Sequence, residues 1–115
     1  EFDALVVRAL AELPEAVRAV VDECPVLVQD LPSRESLTAE SPPLSPDLLG
    51  LFSGPHVFTT DVSGETRHIM LFRRNLLRAC QDREMLAEEV RITVLHEVGH
   101  LLGLDEDDLD ERGLR

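Results

Sequence analysis

The sequence predicts a single α+β domain over residues 1–115, on three observations. Apolar residues recur at helical spacing in two separate stretches, near 3–23 and 83–102. Between them lie short runs with strand character, punctuated by Pro and Gly. A chain of 115 residues suits one core with a radius of gyration of about 13 Å, burying roughly two thirds of its unfolded surface. There is no internal repeat.

Leu5, Val6, Ala9, Leu10 and Leu13 follow i, i+3, i+4 spacing; Pro14 interrupts before Val17, Val20 and Val21 continue it. Two helices joined near Leu13 and Pro14 are the simplest reading. Pro25 ends the second, and Val26-Leu27-Val28-Gln29 should be a strand. About twenty residues follow that are rich in Pro, Ser and Glu, with Pro32, Pro42, Pro43 and Pro46 among them, and they read as loop. Gly50-Leu51-Phe52 and residues 56–60 look extended, and residues 61–65 form a turn or hairpin loop. Arg67 to Phe72 is the best strand candidate, and Arg73 to Ala79 suits a short helix. Asp82 can cap a long helix from Arg83 to about Leu102, with Glu84 and Glu88 near its positive end and Gly103 as its stop.

Composition narrows the function. The chain carries 23 Asp plus Glu against 11 Arg and no Lys, a net charge of −12, so it has no basic face for phosphates and nucleic acid is not an expected partner. Four Phe with no Tyr or Trp make a poor base-stacking platform. No stretch approaches the roughly 20 apolar residues of a membrane span, and residues 1–3 lack a signal-peptide pattern. A soluble, cytoplasmic monomer is expected. Cys24 and Cys80 are expected to be reduced and largely buried.

His96-Glu97-Val98-Gly99-His100 carries the chemistry. Helix positions four apart differ by about 40° around the axis, so His96 and His100 can converge on one ion at roughly 2.0–2.1 Å. Glu97 falls about 60° from His100, beside the ion, where it can take a proton from a water that the metal activates. This is the HExxH arrangement of zinc peptidases. With four His and thirteen Glu in the chain, it arises by chance in about one such sequence in a hundred. The plainer alternative is a helix bearing two surface histidines bonded to nearby carboxylates.

A catalytic zinc usually takes three protein ligands. Gly103 can reverse the chain, which brings Asp105, Glu106, Asp107 and Asp108 within reach, so a carboxylate is the expected third donor. The rest of the acidic run reads as a solvated tail.

The stretch from His96 to Glu106 resembles the metzincin pattern HExxHxxGxxH, with Glu106 where those proteins place a third histidine. Snapalysin-type peptidases, which have Asp there, resemble it more closely. The best match is a family of small bacterial, single-domain, zincin-like metallopeptidases, whose pattern runs through Pro43, Leu49 to Phe52, Ile69 to Arg74, Glu89 to Glu97 and Leu109 to Gly113. That resemblance implies a minimal zincin-like fold: a small mixed sheet packed on the active-site helix, with an edge strand able to receive an extended peptide. It also implies Glu106 as third ligand, at a position where the family usually has Asp. Met70 and Met85 both precede the motif, so the metzincin Met-turn is missing.

The expected activity is therefore zinc-dependent peptide hydrolysis, with Zn²⁺ on His96, His100 and Glu106, Glu97 as general base, and a peptide or protein as substrate. The rival is a zinc-binding regulatory or interaction module on the same fold. Arg67, His68 and His56 are the side chains available to stabilise an oxyanion. Arg73 and Arg74 read as a solvated corner, and Glu89 and Thr93 share the face of His96. Residues 82–115 hold eleven acids against four Arg, a negative potential expected to favour basic substrates.

Overall fold

The computed structural model describes residues 2–38, 44–54 and 67–111. Pro42, Pro43, the expected extended piece at 56–60 with His56, the turn at 61–65 and the Arg112-Gly113 pair lie outside the described residues. Helices α1 (Phe2–Ala11) and α2 (Glu15–Val21) lead into strand β1 (Val26–Gln29) and a short helix α3 (Arg34–Thr38). Strands β2 (Gly50–Ser53) and β3 (His68–Phe72) follow, then α4 (Arg73–Ala79), α5 (Arg83–Leu101) and α6 (Glu106–Glu111).

The sheet is mixed, in the order β1-β3-β2. Central β3 pairs in parallel with β1, Val26 opposite Ile69, and antiparallel with β2, Gly50 opposite Leu71. Ile69 and Leu71, two residues apart and so on one face of the pleat, have no exposed surface. Against that face packs α5 through Val90, Val94, Val98 and Leu101, and the Phe2, Leu5, Val6 and Ala9 stripe of α1 completes the core. The helix break falls at Pro14, which precedes the first residue of α2, and α2 ends at Val21, four residues ahead of the Pro25 expected to stop it.

Asp82 caps α5, its carboxylate accepting from the Met85 amide at 2.9 Å. Arg73 pairs with Asp30 in an exposed ion pair at the start of α4, a corner of the kind expected for Arg73 and Arg74. Cys24 is buried and Cys80 half-buried, both as free thiols. No helix among the described residues is long and apolar enough to cross a membrane.

Two elements differ from the sequence reading. The Pro-rich stretch contains α3, whose start is held by the Ser33 hydroxyl accepting from the Ser36 amide at 3.1 Å. The acidic run, read as a solvated tail, forms α6 because Leu109 within it is completely buried. Burial of one leucine side chain is worth about 1.5–3 kcal/mol, enough to hold a charged turn against the fold.

Candidate metal centre

Helix α5 supplies three of the four residues in question, and more of its surface is covered than an amphipathic helix requires. Thr93 and Glu97 are buried along with the apolar face, because α5 is packed by α1 on one flank and by β2 on another. The contact with β2 is close at Gly50, where a Cβ would meet Thr93 Cγ2 at 2.8 Å and Glu97 Cγ at 3.3 Å. This approach brings a strand amide to the catalytic candidate: the Phe52 N–H donates to Glu97 Oε1 at 2.8 Å. Leu49 C=O accepts from the Phe72 amide at 3.0 Å. Alternation in an antiparallel ladder then turns the peptide groups of Gly50 and Phe52 away from β3, toward α5 and the open edge.

His96 and His100 lie one turn apart, with ring centroids 4.9 Å apart and planes at 78°. Their Nε2 atoms both face Glu106 Oε1, at 3.2 Å from His96 and 2.7 Å from His100. Glu106 is reached through the end of α5. Gly103 adopts a left-handed φ of 87°, its N–H donates to His100 C=O at 3.0 Å, and the Leu104 N–H donates to Gly99 C=O at 2.9 Å. This is the Schellman pair of bonds that ends a helix on glycine.

The same reversal aims Leu104 C=O at His100 Nδ1, 3.0 Å away. A carbonyl can only accept, so Nδ1 carries a proton, which leaves Nε2 as the nitrogen that faces the cluster, the orientation a metal ligand requires.

Asp105 and Asp108 then bond each other's backbones, Asp108 N–H to Asp105 Oδ1 at 2.8 Å and Asp105 N–H to Asp108 Oδ2 at 3.1 Å. This reciprocal cap starts α6. Four acids within nominal reach of the cluster are thereby sorted: two serve as the cap, Asp107 faces solvent, and Glu106 faces the histidines.

Donor atoms of His96, His100 and Glu106 all fall within 4.8 Å of one another. Donors 2.0–2.1 Å from a common tetrahedral ion lie about 3.4 Å apart. The observed contacts of 3.2 Å and 2.7 Å lie inside that spacing; a small outward shift of the exposed Glu106 side chain would admit an ion, and the donor types suit Zn²⁺.

Beside this cluster Glu97 is 6% exposed. Desolvation raises its carboxyl above the ordinary value of 4.5, against the lowering pull of His96, His100 and the Phe52 amide. Glu97 Oε2 lies 4.0 Å from His96 Nε2. The two oxygens are thus divided, one held by the strand and one turned toward the donors.

An open cleft of about 460 Å³ runs over this group, with Leu44, Leu48 and Phe52 opposite His96, Glu97 and His100. Arg67 and His68 are not among its lining residues.

Residues 21–114 match the family model for zincin-like metallopeptidases. The chain belongs to the zincin-like metallopeptidase family. No curated protein matches it. For this zincin-like metallopeptidase, the small mixed sheet packed on the motif helix is the α+β fold the sequence led one to expect. Two backbone groups escaped the sequence reading, the Phe52 N–H and the Leu104 C=O. Neither carries a residue-type signal; only the spacing of Leu104 four residues beyond His100, just past a helix-ending glycine, hinted at the second.

Proposed function

We propose that this zincin-like metallopeptidase hydrolyses peptide bonds with a zinc ion held by His96, His100 and Glu106. The observation that carries this reading is the division of Glu97's oxygens, Oε1 on the Phe52 amide and Oε2 beside the donor cluster. When bound, zinc would lower the pKa of a coordinated water to about 7 and polarise the scissile carbonyl. Glu97 accepts the proton of the attacking water and delivers it to the leaving amine. Its burial favours this, since a carboxylate raised by desolvation is a better base. The outward peptide groups of Gly50 and the Phe52 C=O offer an extended substrate a strand edge to lie along, the Phe52 N–H being held by Glu97.

Glu97→Gln keeps the length and the bond from Phe52 but cannot take a proton. The variant should retain stoichiometric zinc and lose hydrolysis of fluorogenic peptides; sustained turnover would overturn the mechanism. His96→Ala should lose zinc by metal analysis, and unchanged zinc content would remove His96 from the site.

One observation favours a second reading, a zinc-dependent binding module. Among the described residues lining the cleft, no Arg, Tyr or further His stands ready to stabilise an oxyanion. Absence of cleavage across a broad peptide panel with zinc-loaded protein would select that reading.

A further inference from the structure

The cleft does not end at Glu97. A second, smaller pocket of about 170 Å³ shares His96 and Glu97 with it and continues along α5 to Thr93 and Glu89, with Leu48 and Leu49 on the facing wall. Glu89 sits eight residues before Glu97, about 12 Å along the helix axis. Its carboxylate is uncommitted: Arg91, the cation nearest in sequence, is held by Glu88 at 2.5 Å, and no ion pair engages Glu89 among the described residues. Burial pushes the Cys80 thiol up, and the charge of Glu89 adds to that rise. A pocket with Leu48 and Leu49 on one wall, the Glu89 carboxylate at one end and the reacting group at the other fits a long side chain with an apolar stem and a cationic tip.

We propose that Glu89 is a specificity-determining residue, selecting substrates with Arg or Lys next to the scissile bond. The proposal rests on the peptidase reading, and it names a local contact where the overall acidity of this half of the chain supplies only a diffuse field. The two differ in salt dependence. A diffuse field is screened within about 8 Å at physiological ionic strength, whereas a charge-assisted bond in a half-covered pocket persists. Such a bond is worth about tenfold in selectivity.

The test uses fluorogenic peptides in which Arg, Leu or Glu is moved through the three positions on each side of an otherwise Ala-Gly sequence. Zinc-loaded protein should cleave the best Arg peptide about tenfold faster in kcat/KM than its Leu counterpart, and the ratio should survive 0.5 M NaCl at a value of roughly that order. Glu89→Gln should bring the ratio close to one, while Glu88→Gln, on the other flank of α5, should leave the ratio as it is. A ratio near one in the parent protein, or a ratio that Glu89→Gln does not alter, overturns the proposal.

Binding of the same peptides to zinc-loaded Glu97→Gln protein separates this from failure of the peptidase reading. An Arg preference in binding that depends on Glu89 supports the subsite even where hydrolysis is absent. Absence of any preference in binding and in cleavage overturns it.

Discussion

Replacing Gly99 with Ala puts a methyl group where α6 already stands. The added Cβ would lie 2.3 Å from Leu109 Cδ2, 3.5 Å from Leu109 Cγ and 3.7 Å from Leu104 Cδ1. Carbon atoms pack at about 3.5–4.0 Å, so Leu109 must retreat by at least about 1.2 Å. It has no exposed surface into which its tip can swing, so much of that retreat moves α6.

Overpacking costs about 1–3 kcal/mol, and exchanging a helical Gly for Ala returns about 1 kcal/mol. The net loss of about 0–2 kcal/mol lowers Tm by no more than roughly 8 °C. The effect on metal is larger in proportion. Glu106 is the first residue of α6, with a side chain 69% exposed, so, apart from the two histidines it meets, only the backbone of α6 places it. Metal–donor distances tolerate about 0.2 Å, and a shift several times greater should weaken zinc about 10–100-fold, the range seen when a ligand's support is removed.

Competition with a fluorescent chelator measures the affinity and calorimetry the stability. Adding Leu109→Val removes the clashing Cδ2 and should recover most of the zinc affinity in a double-mutant cycle. Unchanged zinc affinity in Gly99→Ala, or a stability increase equal to the helix-propensity gain, would refute the argument.

Three further outcomes are expected. In metal-free protein, Glu97→Gln should be more stable than the parent at neutral pH. Burial raises the folded pKa of Glu97 above its unfolded value of 4.5. The parent's stability is therefore full below that value and falls as pH rises through the folded pKa. Thermal unfolding should show the two proteins converging near pH 4 and diverging above it, and a constant gap would contradict the assignment. Asp105→Ala removes one half of the α6 cap and should cost about 0.5–2 kcal/mol with a measurable loss of zinc affinity, whereas Asp107→Ala should change neither by titration or melting. Gly50→Ala sets a Cβ 2.8 Å from Thr93 Cγ2; by separating β2 from α5 it should lower kcat more than it lowers zinc affinity.

What could be read without coordinates follows from the range of the interactions. The motif helix, its Asp82 cap, its Gly103 stop and strand β3 are governed by neighbours within a turn or two, so the sequence displays them directly. The same is true, in retrospect, of the Asp105-x-x-Asp108 cap, hidden by reading a dense acidic run as solvated. Glu106 was indicated among four acids by resemblance alone, and the cap shows why two of its neighbours are occupied elsewhere. The Phe52 amide on Glu97 and the covering of Thr93 join residues more than forty positions apart. They depend on how β2 lies against α5, which no local pattern records.

That difference in range separates two properties of the site. All three proposed metal donors lie between residues 96 and 106, joined by one helix end and a glycine reversal. Closing so short a segment costs little chain entropy, and an ion can gather these donors before distant strands have met. An unfolded chain that already holds zinc gains less from it on folding. Zinc should therefore protect this fold less than its affinity alone implies. The orientation of Glu97 requires β2 and α5 to be docked, so on the proposed site metal uptake should be an early, local event and a competent base a late, global one. A partly folded chain would hold its ion and lack its chemistry.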